Sequence, residues 1–217
     1  MSKIELIIFD LDGTLVDSEK VYHEGWSHVL KGYGHKVDAT EFEMMRGRST
    51  EHNNQMIKTY LGSDELVKEA RDLREEYYFA ALEKNEVELK KGASDLIKAV
   101  HDKGFKLAVA TSSYSKIGLA TLKQFDLLKY FDFTIFGDEV AHPKPDPEIY
   151  NKVLEQAGIS FENAIAIEDS SSGLESALAA KLGVYFVPEV EVELEGIEGE
   201  FDVYPSLIEV KRELLGE

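Results

Sequence analysis

Two aspartates, Asp10 and Asp12, close an apolar run of strand length, Leu6-Ile7-Ile8-Phe9, and are followed at once by Gly13-Thr14-Leu15. A buried strand has no use for charge, so the run reads as a strand that delivers carboxylates to a loop. Gly13 lets the backbone leave on a tight turn, at the carboxyl end of the strand, where α/β sheets put their sites. One such acid can attack an electrophile while the other, protonated, hands a proton to the leaving group, because neighbouring carboxylates push each other's pKa values apart. Taken alone, the stretch also fits a strand-end Asx turn that enters a solvated loop.

The elements that would position these acids follow from periodicity. Tyr22, Trp26, Val29, Leu30 and Tyr33 recur on one helical stripe, Met56, Ile57, Tyr60 and Leu61 on a second, and Leu66, Ala70, Leu73, Tyr77, Ala81 and Leu82 on a third, longer one. Residues 17–88 therefore read as a small helical domain without a convincing strand, inserted after the first strand. Everything later alternates. Strands are expected at Phe105–Ala110, Phe133–Phe136, Ala164–Ile167 and Val184–Val187, separated by helices, the one after Pro147 being capped by Asp146. That order predicts an α/β fold, a doubly wound parallel sheet formed by residues 1–16 and 89–217, with strand ends at 10, 111 and 168–169 along one edge. The acid-rich stretch 189–200 reads as a solvated loop.

Composition narrows the function classes. The chain has 217 residues, 43% hydrophobic and 30% charged, enough for a full core with a smaller inserted domain. Its 24 basic and 42 acidic residues give a net charge of −18, which disfavours nucleic acid and anionic membrane as partners. A small anionic substrate would need local help from Lys, backbone amides or a metal cation. The lack of Cys removes disulfides, thiolate zinc sites and cysteine catalysis, and agrees with a reducing compartment. With no membrane-length apolar run and no leader-like N-terminus, the expected address is the cytoplasm. Nothing in the pattern fixes an oligomer, and a monomer or weak oligomer is expected.

Four segments in order carry a resemblance. Asp10-Leu11-Asp12-Gly13-Thr14, Thr111-Ser112 after a strand, Lys144 in Lys-Pro-Asp-Pro, and Glu168-Asp169 before Ser-Ser-Ser-Gly together resemble the ordered motifs of the haloacid dehalogenase superfamily. The helices at 17–88 are similar to the α-helical cap of the subgroup that holds sugar-phosphate phosphatases and β-phosphoglucomutase. The resemblance implies that Asp10 is the nucleophile, forming an aspartyl phosphate, and that Asp12 is the general acid and then the base. It implies one Mg²⁺ held by Asp10, the main-chain carbonyl of Asp12 and Asp169. Glu168 would ligate directly or through water, or else stand as a supporting or exposed acid. Thr111 and the amide of Ser112 would bond the phosphoryl oxygens, and Lys144 would sit between phosphate and Asp10.

Ser113 is expected to cap the next helix, and Ser170 and Gly173 to shape their loop. Gly13, Ser112, Glu19, His23, Arg46 and Arg48 make up the remaining substrate-facing set, with Tyr22 beside it and Trp26 assigned to the core. His28, His35, His52 and His101 show no ligand spacing.

Within that family the second acid, Asp12, argues against dehalogenation, since a departing halide needs no proton. In β-phosphoglucomutase a cap His lies five residues after the acid of an Asp-Ser pair. Here that place is Tyr22, and His23 follows one position later, turned by about 100° on a helix. The reading is thus a Mg²⁺-dependent phosphatase acting on a small phosphorylated metabolite, with a phosphomutase as the alternative and a catalytically silent binding protein behind both.

Overall fold

The computed structural model describes residues 4–37, 41–42, 45, 50–188 and 197–217. Six strands, β1 (Leu6–Phe9), β4 (Lys106–Ala110), β5 (Phe133–Ile135), β6 (Ala164–Glu168), β7 (Gly183–Phe186) and β8 (Phe201–Val203), form one sheet in the order β5-β4-β1-β6-β7-β8. All its pairings are parallel. Two short strands, β2 (Val16–Asp17) and β3 (Glu88–Leu89), pair antiparallel where the chain leaves the sheet and where it returns.

Alternation along β1 explains the layers. Ile7 and Phe9 point to one face, with Leu107, Val109, Ile165 and Ile167, against helices α4 (Ala93–Asp102), α5 (Ser115–Gln124) and α8 (Leu207–Leu215). Leu6 and Ile8 point to the other, with Ala108, Ala110 and Ala166, against α6 (Glu148–Ala157) and α7 (Ser171–Ala179). Each fully buried Ile or Phe contributes roughly 1.5–3 kcal/mol by leaving water, which makes the uncharged β1 a costly strand to interrupt. Charge therefore begins only where β1 ends. Because β4 and β6 flank β1, with Phe9 in register with Val109 on one side and Ile167 on the other, the ends carrying Asp10, Thr111 and Glu168 are neighbours. The strand order reverses at β1, the position where open α/β sheets form a crevice.

The inserted segment contributes α1 (Glu19–Gly32), α2 (Thr50–Leu61) and α3 (Asp64–Glu83). They bury a separate cluster of Trp26, Val29, Leu30, Ile57, Leu61, Val67 and Ala70. Gly25 permits their close packing, since a Cβ there would stand 3.2 Å from side-chain carbons of both Arg74 and Tyr77 on α3.

Four expectations need correction. The buried face of α3 is Val67, Ala70, Arg74, Glu75, Tyr78, Ala81 and Leu82, whereas Leu73 is 41% exposed. The expected stripe was rotated by about one residue, because two charged residues occupy buried positions and hid the true face from a hydrophobicity pattern. Helix α6 starts at Glu148 with Pro147 as its cap residue, and Asp146 Oδ1 accepts from the Glu148 amide at 2.9 Å. The two-residue ladder of β2 and β3 was not expected, nor was β8, a three-residue edge strand whose Val203 is half exposed. Arg46, Arg48 and positions 189–196 lie outside the described residues.

Candidate active site

Beyond β1 the chain makes a compact turn, with Gly13 N donating to Val16 O at 2.8 Å and Leu15 N to Leu11 O at 2.9 Å. Gly13 has φ +90°, and a Cβ on it would lie 2.1 Å from Asp169 Oδ2, so both its conformation and its neighbour demand glycine. Thr14, buried in the same turn, donates from Oγ1 to Asp169 Oδ1 at 2.8 Å.

Under this turn Lys144 is only 3% exposed, and its ammonium donates to Asp10 Oδ1 at 2.7 Å, Glu168 Oε1 at 2.5 Å and the Ala110 carbonyl at 2.9 Å. An ammonium has three protons, so Lys144 is fully satisfied. Burial works against its charge, but Asp10 and Glu168 outweigh burial and hold its pKa well above the ordinary lysine value. Tyr150 also donates to Glu168 Oε1, at 2.5 Å. Glu168 is fully buried, which removes the exposed-acid alternative.

Asp10, Glu168 and Asp169 each place a carboxylate oxygen within 4.8 Å of the others. Burial raises Asp10 well above the usual carboxylate range, opposed by Lys144 and reinforced by Glu168 and Asp169. Burial, helped by Glu168, pushes Asp169 up to about 8. Three crowded carboxylates face one ammonium, a donor set of hard oxygens that fits a small divalent cation. A second group, His142, Asp146 and Glu148, is more exposed, and Glu148 already accepts from the amides of Ala141 and His142.

Asp12 sits in different surroundings. Oδ1 accepts from Ser18 Oγ at 2.7 Å and Tyr22 OH at 3.0 Å, and Oδ2 from Ser113 Oγ at 2.6 Å and Thr111 Oγ1 at 3.4 Å. Ser113 was expected to cap a helix. Instead α5 has Tyr114 at its cap position, and the Ser113 hydroxyl is committed to Asp12 while its amide donates to Thr111 Oγ1 at 3.1 Å. Ser170 does cap α7, accepting from Gly173 N at 3.1 Å.

These residues open on a cleft of about 170 Å³ lined by Asp10, Asp12, Thr111, Ser112, Ser113, Lys144 and Asp169 below, and by Glu19, Tyr22, His23, Trp26, Asn53, Arg71, Arg74 and Glu75 from the helical segment. Trp26 is thus both core and wall. His23 pairs with Glu19 at 3.2 Å and stacks on Phe42. It is Tyr22 that reaches Asp12. Asn53, Arg71, Arg74 and Glu75 escaped the sequence reading, although charges at the i, i+3 and i+4 positions of an otherwise apolar α3 face were a usable signal.

A family model described as haloacid dehalogenase-like hydrolase matches residues 7–187, most of the chain. The chain belongs to that family. Among curated relatives of these hydrolases, a phosphorylated carbohydrates phosphatase of Thermotoga maritima is 33% identical over 181 residues, 82% of each chain. Among solved structures, CbbY of Rhodobacter sphaeroides in complex with phosphate superposes with a TM-score of 0.84 at 27% identity, covering 95% of this chain and 96% of its own. A structure described as a putative β-phosphoglucomutase of Thermotoga maritima gives 0.72 at 31% identity, covering 98% and 97%. The doubly wound parallel sheet is that of a haloacid dehalogenase-like hydrolase. Among the described residues no helix is long and apolar enough to cross a membrane.

Proposed function

We propose that the protein is a Mg²⁺-dependent phosphatase that hydrolyses a small phosphorylated metabolite, a sugar or polyol phosphate, through an aspartyl phosphate. The observation that carries this reading is the contrast between two acids two residues apart: Asp10 is buried and ion-paired to Lys144, whereas Asp12 is cradled by four hydroxyls. Asp10 has the fixed position of a nucleophile and Asp12 the surroundings of an acid–base group. The relative named as a phosphorylated carbohydrates phosphatase supports the same reading.

In the first half-reaction an Asp10 oxygen bonds to phosphorus and the ester P–O bond breaks, Asp12 giving its proton to the departing alkoxide. In the second, Asp12 takes a proton from water, the water oxygen bonds to phosphorus, and the bond to Asp10 breaks to release inorganic phosphate. Thr111 and the amide of Ser112, residues that line the cleft at the end of β4, would bond phosphoryl oxygens, and Lys144 would hold Asp10 in line. Asp10, Asp169, Glu168 and the Asp12 carbonyl would hold Mg²⁺, which when bound offsets the repulsion between anionic phosphate and anionic carboxylate. Residues 17–88 act as the cap that closes this cleft, and Arg46 and Arg48, outside the described residues, are assigned to substrate binding. A cysteine-free chain of this kind suits the cytoplasm.

A mutase must disfavour water relative to sugar at the aspartyl phosphate. Tyr22 places a phenol on Asp12 where an imidazole would couple it to sugar, which favours hydrolysis. The test is inorganic phosphate release from a panel of sugar and polyol phosphates with and without Mg²⁺, beside β-glucose 1-phosphate primed with a trace of the 1,6-bisphosphate. Stoichiometric phosphate release and little glucose 6-phosphate are expected. Rapid primer-dependent isomerisation without phosphate release would overturn the phosphatase reading.

A further inference from the structure

Tyr150 lies six positions after Lys144, on the buried face of α6 beside Ile149 and Val153, with no exposed surface. Its place in the core cluster with Leu6, Ile8 and Ala166 asks only for an apolar ring, so the hydroxyl is the part that calls for a reason. That hydroxyl donates to Glu168 Oε1 at 2.5 Å, and the centre of the ring is 5.1 Å from the Lys144 ammonium. One side chain outside the cleft wall thus touches both members of the buried ion pair behind it.

The two oxygens of Glu168 are held unequally. Oε1 accepts from Lys144 and from Tyr150, both at 2.5 Å, whereas Oε2 has two long contacts, from the Asp169 amide at 3.3 Å and Ser170 Oγ at 3.4 Å. A carboxylate oxygen has two lone-pair sites, so Oε1 is full and Oε2 keeps capacity for a hard cation. On a further side the group rests against Gly173, where a Cβ would stand 2.1 Å from both oxygens, and it has no room to swing toward α7. Lys144 alone would not fix this orientation. Its ammonium is shared with Asp10 and the Ala110 carbonyl, and a single bond to Oε1 leaves the carboxylate free to turn about a soft terminal torsion. The phenol supplies the second bond, which opposes that rotation.

We propose that Tyr150 is a positioning residue: it pins Oε1 of Glu168, so that Oε2 stays available as a ligand for Mg²⁺ and Lys144 stays between Glu168 and Asp10. Its effect on turnover rests on the phosphatase reading, whereas its effect on Mg²⁺ rests on the acid cluster alone.

The test is Tyr150→Phe in the full chain, which removes the donor and keeps the ring. Mg²⁺ affinity is read without substrate, from the rise of Tm with MgCl₂ concentration, and should weaken by about tenfold. At saturating Mg²⁺, kcat for phosphate release should fall by about tenfold while KM changes by less than about twofold, because Tyr150 does not line the cleft. In a Glu168→Gln background, where the ligand it positions is already lost, the same substitution should change Mg²⁺ affinity by less than about twofold. Tyr204→Phe, which removes a phenol beside the edge strand β8, should alter neither quantity. A Mg²⁺ affinity within about twofold of the parent protein overturns the inference, as does an undiminished loss in the Glu168→Gln background, which would make Tyr150 a packing residue. A parent protein whose Tm ignores MgCl₂ overturns it as well. If Tyr150→Phe does not fold, Tyr150→Met, which also lacks the donor, takes its place and is held to the same limits. Phosphate release by the unsubstituted protein is measured separately, so failure there sinks the phosphatase reading while the Mg²⁺ affinities still judge this one.

Discussion

Tyr22, on the first helix of the inserted segment, donates from its phenol to Asp12 Oδ1 at 3.0 Å, so the acid at the end of β1 is held in part by an element the sheet does not contain. Its ring stacks on Tyr78 at 4.9 Å and lies beneath Arg74, which fixes the hydroxyl in place. Burial, with Asp12 adding to it, raises the Tyr22 pKa well above the ordinary phenol value, so it remains a donor throughout the working range.

Tyr22→Phe should therefore slow turnover by about tenfold or more. The hydrogen bond holds the Asp12 carboxylate in position, so the loss should fall on kcat while KM changes by less than about twofold. An unchanged kcat would show that the contact is only structural.

Asp10→Asn should abolish phosphate release while the protein still unfolds cooperatively, because an amide neither attacks phosphorus nor replaces an anionic ligand well. Asp12→Asn should lower activity by at least a hundredfold, yet keep Mg²⁺ affinity within severalfold, since the ligand proposed there is a backbone carbonyl. A collapse of Mg²⁺ binding in the Asp12 variant, read by calorimetry, would contradict this division of roles.

Lys144→Met leaves Asp10 and Glu168 buried without their common partner. Removing one member of such a group costs about 3–5 kcal/mol, which urea denaturation should register as a lower midpoint with little change in slope. Adding Glu168→Gln should recover part of the loss. Additive losses would indicate that the two residues do not share one network.

Without a divalent ion, burial and the neighbouring Glu168 push the Asp169 pKa up to about 8 in the folded protein, against an ordinary aspartate value of about 3.9 when unfolded. The folded state then binds more protons between those values, so stability is greatest at the acid end of the window and falls as pH rises from about 4 to about 8. A cation that favours the ionised carboxylates should raise Tm more at pH 8 than at pH 5. Equal shifts at the two pH values in scanning calorimetry would count against Asp169 as a ligand.

Much of this was legible in the chain itself. β1 could be read because four apolar residues end abruptly on charge, and the motif acids because a strand end leaves them nowhere to go but the edge of the sheet. Those are local facts of period and polarity, which a sequence carries directly. Three things depended on tertiary contact. Ser113 looked like a helix cap because its role is set by Asp12, 101 positions away, and the true face of α3 was hidden because Arg74 and Glu75 are buried by packing against the cleft and not by their own hydrophobicity. The strand β8 is too short to show a period and exists because β7 offers it an open edge. The sequence by itself determined which acids reach the edge of the sheet, since burial forbids charge anywhere else along β1. Only the tertiary structure decided which cations and hydroxyls meet them there, because those partners come from distant elements whose approach no local pattern encodes.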